Sequence, residues 1–187
     1  MTTPIETVLW KCLAWPGHET ARLQKSEGSW MLDGAATFAH DGQPCRLDYT
    51  IECDADWQTR STRVHGWAGD RAVDVTIEVT DGAWSLNGNA CPQVAGCLDV
   101  DLNFSPSTNL LPIRRLNLQI GQTADVRAAW LRFPSFELEV LAQRYTRIAE
   151  DRVRYESFTT DFRAELLVRP SGLVVDYQNI WIAEAFG

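Results

Sequence analysis

The feature that most constrains this chain is a side-chain period of two. In the segment 45–53, Cys45, Leu47, Tyr49, Ile51 and Cys53 alternate with Arg46, Asp48, Thr50 and Glu52. In 73–79, Val73, Val75, Ile77 and Val79 alternate with Asp74, Thr76 and Glu78, and in 162–168 Phe162, Ala164, Leu166 and Val168 share a face. Successive side chains of a strand point to opposite faces, so each run reads as a strand with one face buried and one wet. Short turn signals separate the runs: Asp41-Gly42, Asp54-Ala55-Asp56, Gly69-Asp70, Asp81-Gly82, Glu150-Asp151 and Ser171-Gly172. Their spacing predicts consecutive hairpins. Strands are expected near 6–14, 19–25, 29–39, 44–53, 57–67, 71–80, 83–87, 115–120, 126–133, 137–148, 152–158, 162–169 and 173–183. So many strands must close or stack to hide their edges. The expected fold class is therefore all-β, a single antiparallel, curved, barrel-like sheet of about 12–15 strands.

The pattern breaks over 88–113, where Asn87-Gly88-Asn89, Pro92, Gly96, Pro106 and Pro112 oppose a continuous strand. This stretch is expected to cross between two halves of the sheet. Thr108 or Asn109 would cap a short helical turn carrying Leu110, Leu111 and Ile113, with Pro112 tolerated in its first turn, and the turn would plug one end of the barrel. No internal repeat or low-complexity linker divides the chain, so residues 1–187 read as one domain, long enough to bury a large core.

Charge narrows the partners. The formal net charge is -8, with 15 Arg and only 2 Lys, a field that repels a polyanion, so nucleic acid is not an expected partner. Residues 114–169 nevertheless hold ten Arg against eight acidic residues. Those arginines either point outward along strands or offer a local home to an acidic or phosphorylated head group. The opening MTTPIETVLWKCLAW lacks the basic start, apolar run and small-residue cleavage site of a secretory signal. No run approaches the roughly 20 apolar residues of a transmembrane segment. Cys12, Cys45, Cys53, Cys91 and Cys97 form an odd set without an export signal, which points to reduced, mostly buried thiols and a cytoplasmic location.

Reactive motifs are weak. Asp99-x-Asp101-x-Asn103 opens like a calcium loop, but Phe104 stands where that loop needs Gly and Leu110 where it needs Glu. His18-Glu19 begins a zinc-helix pattern that Arg22 breaks, and Cys91 and Cys97 lack zinc-knuckle spacing, so no metal or other cofactor is expected. The nucleophile elbow, the phosphate-binding loop and the dinucleotide turn are absent from the sequence, and no catalytic residue is assigned. The remaining catalytic option is a carboxylate pair, Asp99 and Asp101, with Arg114 or Arg115 to stabilise developing negative charge on a lipid or glycolipid.

The aromatic supply stands out more than any motif: eight Trp, seven Phe and four Tyr. Rings from several strands either fill a barrel or line one that stays partly open, and the small residues Ala35, Ala36, Ala128 and Ala129 would leave room beside them. From Gly96 onward the chain reads GCLDVDLNFSPSTNLLPIRRLNLQIG, then AAWLRFPSFELEVLAQRYTRI and FRAELLVRPSGLVVDYQNIWIAEA. This succession, clearest over about 94–183, resembles the bacterial putative glycolipid-binding family. The resemblance implies a curved, barrel-like β-fold around an apolar cavity and a role in binding glycolipid or long-chain lipid. It carries over no catalytic residues.

Our assignment is a non-catalytic lipid or glycolipid site in which Trp130, Phe133, Tyr145 and Trp181 surround an acyl chain. Arg114, Arg115, Gln143 and Arg144 would hold the polar head. Burying about ten methylenes at roughly 0.8 kcal/mol each gives about 8 kcal/mol before ordering costs, enough for micromolar affinity without chemistry. A fully packed interaction barrel is the other non-catalytic reading.

Overall fold

A computed structural model describes residues 3–187; residues 1–2, at the start of the opening segment, lie outside the described residues. Fifteen strands form one curved sheet that does not close. Its first arm is a meander of β1 (Thr3–Cys12), β2 (Gly17–Ser26), β3 (Ser29–His40), β4 (Gln43–Asp54), β5 (Thr59–Ala68), β6 (Arg71–Thr80), β7 (Ala83–Leu86) and β8 (Asn89–Ala90). The second arm comprises β10 (Thr123–Leu131), β11 (Leu138–Ala149), β12 (Arg152–Ser157), β13 (Phe162–Val168), β14 (Val174–Tyr177) and β15 (Trp181–Phe186). The arms meet where the first and last strands pair, with Val8 opposite Phe186 and Cys12 opposite Trp181.

The hairpins follow from turn chemistry. Asp41-Gly42 and Asp81-Gly82 both take positive φ at two successive residues, the backbone of a two-residue turn whose twist matches its strands. At Gly66, φ is +142° and an added Cβ would lie 2.0 Å from the Arg46 carbonyl oxygen, so β4 and β5 approach too closely for any other residue. The alternation read from sequence holds: Cys45, Leu47, Tyr49, Ile51 and Cys53 are all buried, as are Val73, Val75 and Ile77. All five cysteines are free and buried.

Four local expectations are corrected. The stretch 173–183, read as one strand, folds as the antiparallel pair β14 and β15. Residues 99–102, read as part of a crossover, form β9 (Asp99–Leu102), which runs parallel to β10 at the sheet's far edge, with Asp101 opposite Trp130. The parallel pair arises because the chain leaves the β8 edge and reaches the opposite edge before turning back. Residues 115–120, read as a strand, instead comprise the last two residues of the helix α1 (Leu110–Leu116) and a loop, with Asn117 ending the helix in the left-handed conformation at φ of 44°. The helical turn with Leu110, Leu111 and Ile113 is present, but neither Thr108 nor Asn109 caps it. The Thr108 hydroxyl instead accepts the Leu102 amide, and the Asn109 carbonyl accepts the Tyr145 hydroxyl at 3.1 Å. Both side chains fasten α1 to strands rather than to its own backbone.

The β9 edge lies against the start of β5 without pairing with it as a strand. The Thr59 amide at the start of β5 donates to the Leu98 carbonyl at 2.9 Å, and the Thr59 hydroxyl accepts the Val100 amide at 3.0 Å. Consequently β9 and the end of β10 that pairs with it, residues 128–131, are shielded on both faces, whereas Asp125 and Arg127 earlier in β10 are exposed. Val100, Leu102, Ala129 and Leu131 join the main core with Leu47, Ile51, Val64 and Ile77. Their other faces look toward the concave side of the second arm. Among the described residues no helix is long and apolar enough to cross a membrane.

Candidate functional site

Cross-strand register assembles one face of the second arm. Asp101 stands opposite Trp130, Ala128 opposite Leu141, and Gln143 opposite Ser157, which in turn faces Phe162. Tyr177 faces Trp181, and Trp181 faces Cys12. Directly opposed residues project to the same side of a sheet, so a carboxylate, an amide and several large rings converge without any being neighbours in sequence.

They line a cleft of about 200 Å³, bounded by Trp15, Trp130, Tyr155, Phe162, Tyr177 and Trp181, with Asp101 in its wall. Asp101 Oδ2 accepts the Gln143 amide at 2.9 Å, and the same Gln143 nitrogen donates to the Tyr155 hydroxyl at 3.1 Å. The Gln143 carbonyl oxygen is buried without a partner. Burial pushes the Asp101 carboxyl up to about 6, against the lowering effect of the Gln143 hydrogen bond and with a further upward push from Asp99. Asp99, two residues away, is differently placed. Arg115 grips it at both oxygens, at 3.0 and 2.5 Å, and the pair is almost wholly shielded from water.

Trp15 and Asn103 also border a second lobe of about 320 Å³, walled by Phe38, Phe104, Phe133 and His40. Phe133 organises it, with its ring centroid 5.2 Å from Phe38, 4.8 Å from His40 and 5.7 Å from Phe136. The Trp15 indole N–H, at the junction of the lobes, is buried with no acceptor.

Behind the wall lies a polar cluster that sequence reading missed. The Ser105 hydroxyl, which borders the first lobe, donates to Glu19 Oε1 at 2.5 Å. The Tyr49 hydroxyl lies 2.6 Å from the same oxygen and 2.7 Å from Ser107 Oγ. Glu19 Oε2 is buried without a partner. Burial pushes the Glu19 carboxyl up to about 8, outweighing the Ser105 and Tyr49 hydrogen bonds that lower it.

The structure brings Trp130 and Trp181 together in the first lobe, sets Gln143 beneath them and puts Phe133 in the adjoining lobe. It places the other four expected residues elsewhere. Tyr145 is fully buried in a separate core cluster with Val153, Tyr155 and Leu166. Arg114 donates to the Pro170 carbonyl and lies over Trp57, Arg115 is bound to Asp99, and Arg144 pairs with Asp125 at 2.6 Å. The calcium-like triplet diverges too: Asn103 accepts the Phe133 amide while Asp99 and Asp101 serve Arg115 and Gln143.

A family model described as putative glycolipid-binding matches residues 7–183. The fold is similar to that of a DUF1089 family protein from Pseudomonas aeruginosa, at 35% identity and a TM-score of 0.74 over 86% of this chain and 89% of that one. It is also similar to a β-barrel-like protein of the domain of unknown function DUF1849 from Brucella abortus. That likeness, at 10% identity and a TM-score of 0.53 over 98% and 96% of the two chains, concerns the fold alone. No match was found among curated proteins.

Proposed function

Because the chain belongs to the putative glycolipid-binding family, we propose that its two-lobed cleft binds an amphiphile of the glycolipid type without transforming it. The observation that carries this reading is the meeting, at Trp15, of an aromatic lobe with a lobe that mixes rings and hydrogen-bonding groups. Apolar surface gives affinity to an alkyl chain or to the C–H face of a sugar ring. Asp101, Asn103 and Ser157 offer oxygens to hydroxyls.

Volume limits what is seated. Lobes of about 200 and 320 Å³ sit at or below the bottom of the roughly 300–1,000 Å³ range of drug-sized sites. One head group and a short stretch of one chain fit, while the rest of a lipid stays outside. Binding is favoured over hydrolysis because Asp99 is held by Arg115, which leaves Asp101 as the carboxylate at the cleft, whereas glycosidases use two.

The test is to purify the protein from its host under native conditions, extract it with organic solvent and analyse the extract by mass spectrometry beside Trp130→Ala. A stoichiometric amphiphile lost in the variant is expected. A clean extract from the wild type, or an amphiphile retained equally by both, contradicts the placement.

A further inference from the structure

Resting on that reading of the cleft, we propose that the head group it selects carries an organic ammonium, held by Asp101 inside an aromatic enclosure. Among the described residues, Asp101 is the one charged side chain bordering the first lobe, and no Lys, Arg or His borders it. Its hydrogen-bond partner in the protein is a neutral amide, Gln143. A buried carboxylate without a cation is costly, and a ligand that brings the cation removes that cost.

The nearby basic residues are already committed. Arg115 is closed on Asp99, Arg144 on Asp125, and Arg132 stacks on Trp130 at 4.7 Å while pairing with Glu139 at 3.2 Å. The charge at the cleft is therefore negative, the sign opposite to that needed for a phosphorylated or sulfated head. The walls reinforce this sign. Tyr155, Phe162 and Tyr177 have mutual centroid distances of 6.2, 6.0 and 6.1 Å, and Trp15 meets Trp181 edge-on at 5.9 Å. Ring faces attract cations, most strongly where water is excluded. Two sources share this chemistry, a quaternary ammonium and the protonated amine of an amino sugar.

The experiment compares four ligands with the same octyl chain by titration calorimetry: trimethylammonium, glucosaminide, glucoside and sulfate. At least one ammonium head is expected to bind roughly tenfold or more tightly than the glucoside, and the sulfate most weakly. Asp101→Asn, which keeps an oxygen for Gln143, should shrink the ammonium preference to about twofold or less. Preference for trimethylammonium supports a quaternary head, and preference for glucosaminide supports an amino sugar. Equal binding of ammonium and glucoside heads, or tightest binding of the sulfate, overturns this inference and leaves amphiphile binding standing. Failure of all four to bind overturns both. The wild-type series stands independently of how the variant folds.

Discussion

Glu19 shows how a single buried residue couples stability to pH. Its carboxyl is raised to about 8 in the folded protein from an ordinary value of 4.5, so between those limits the folded state binds more protons than the unfolded one. Stability from this group is complete below the unfolded value and is lost as pH rises through about 8, with a slope of up to about 1.4 kcal/mol per pH unit. Glu19→Gln keeps the shape and removes the titration. Urea unfolding at pH 5, 7 and 9 should show the variant gaining on the wild type as pH rises; parallel profiles would contradict the assignment. At this scale the structure brings Trp130, Gln143 and Trp181 near one another because they stand on β10, β11 and β15, with Phe133 in the loop after β10, while their role in binding is our proposal. The arginines' partners were not legible in the sequence, because alternation tells which side of a strand a residue occupies and says nothing of whether Asp99 or Asp125 already waits there. Trp15 left one unread signal, a large ring in the loop before Pro16-Gly17.

At the scale of elements, the Asp99–Arg115 pair joins β9 to α1, whose Leu110 and Leu111 enter the main core and whose Ile113 enters a second cluster. Removing one partner of a buried pair leaves the other uncompensated, at a cost of about 3–5 kcal/mol. Arg115→Met should lower the unfolding free energy measured in urea by that amount, and adding Asp99→Asn should recover part of it. An Arg115→Met protein as stable as the wild type would show that the pair does not hold β9 in place. Most hairpins were legible because they have their own alternation and turn residues; the last, β14 to β15, was read as one strand over 173–183 because its turn, Gln178-Asn179-Ile180, lacks glycine and proline. The β9 strand was hidden because Asp99-Val100-Asp101-Leu102 is short and lies among prolines and glycines, and its partner, β10, begins only after α1. The segment 115–120 misled for a related reason: it alternates like a strand, but its arginine is drawn to Asp99 and Asn117 stops the helix.

Across the whole molecule, the sheet is two arms joined by the pairing of the first and last strands, with the far edge folded against β5. The class of fold followed from periodicity, yet the order of strands did not, since no local pattern states that β1 lies beside β15. The interior of the first arm is packed around residues such as Trp10, Leu47 and Ile51; an open groove of about 500 Å³ on that arm is lined mainly by polar residues such as Arg22, Asp33, Arg46 and Asp48, whereas the aromatic lobes lie on the second arm and at Trp15. The most direct test of this account follows the eight Trp indole N–H resonances by proton–nitrogen NMR while octyl glucosaminide is added. The account predicts shifts confined to Trp15, Trp130 and Trp181, with Trp10 and Trp84 unmoved because their N–H groups are bonded to the Val174 and Cys97 carbonyls in the core. Shifts at Trp10 and Trp84 with the cleft tryptophans silent would place the ligand elsewhere and contradict the account.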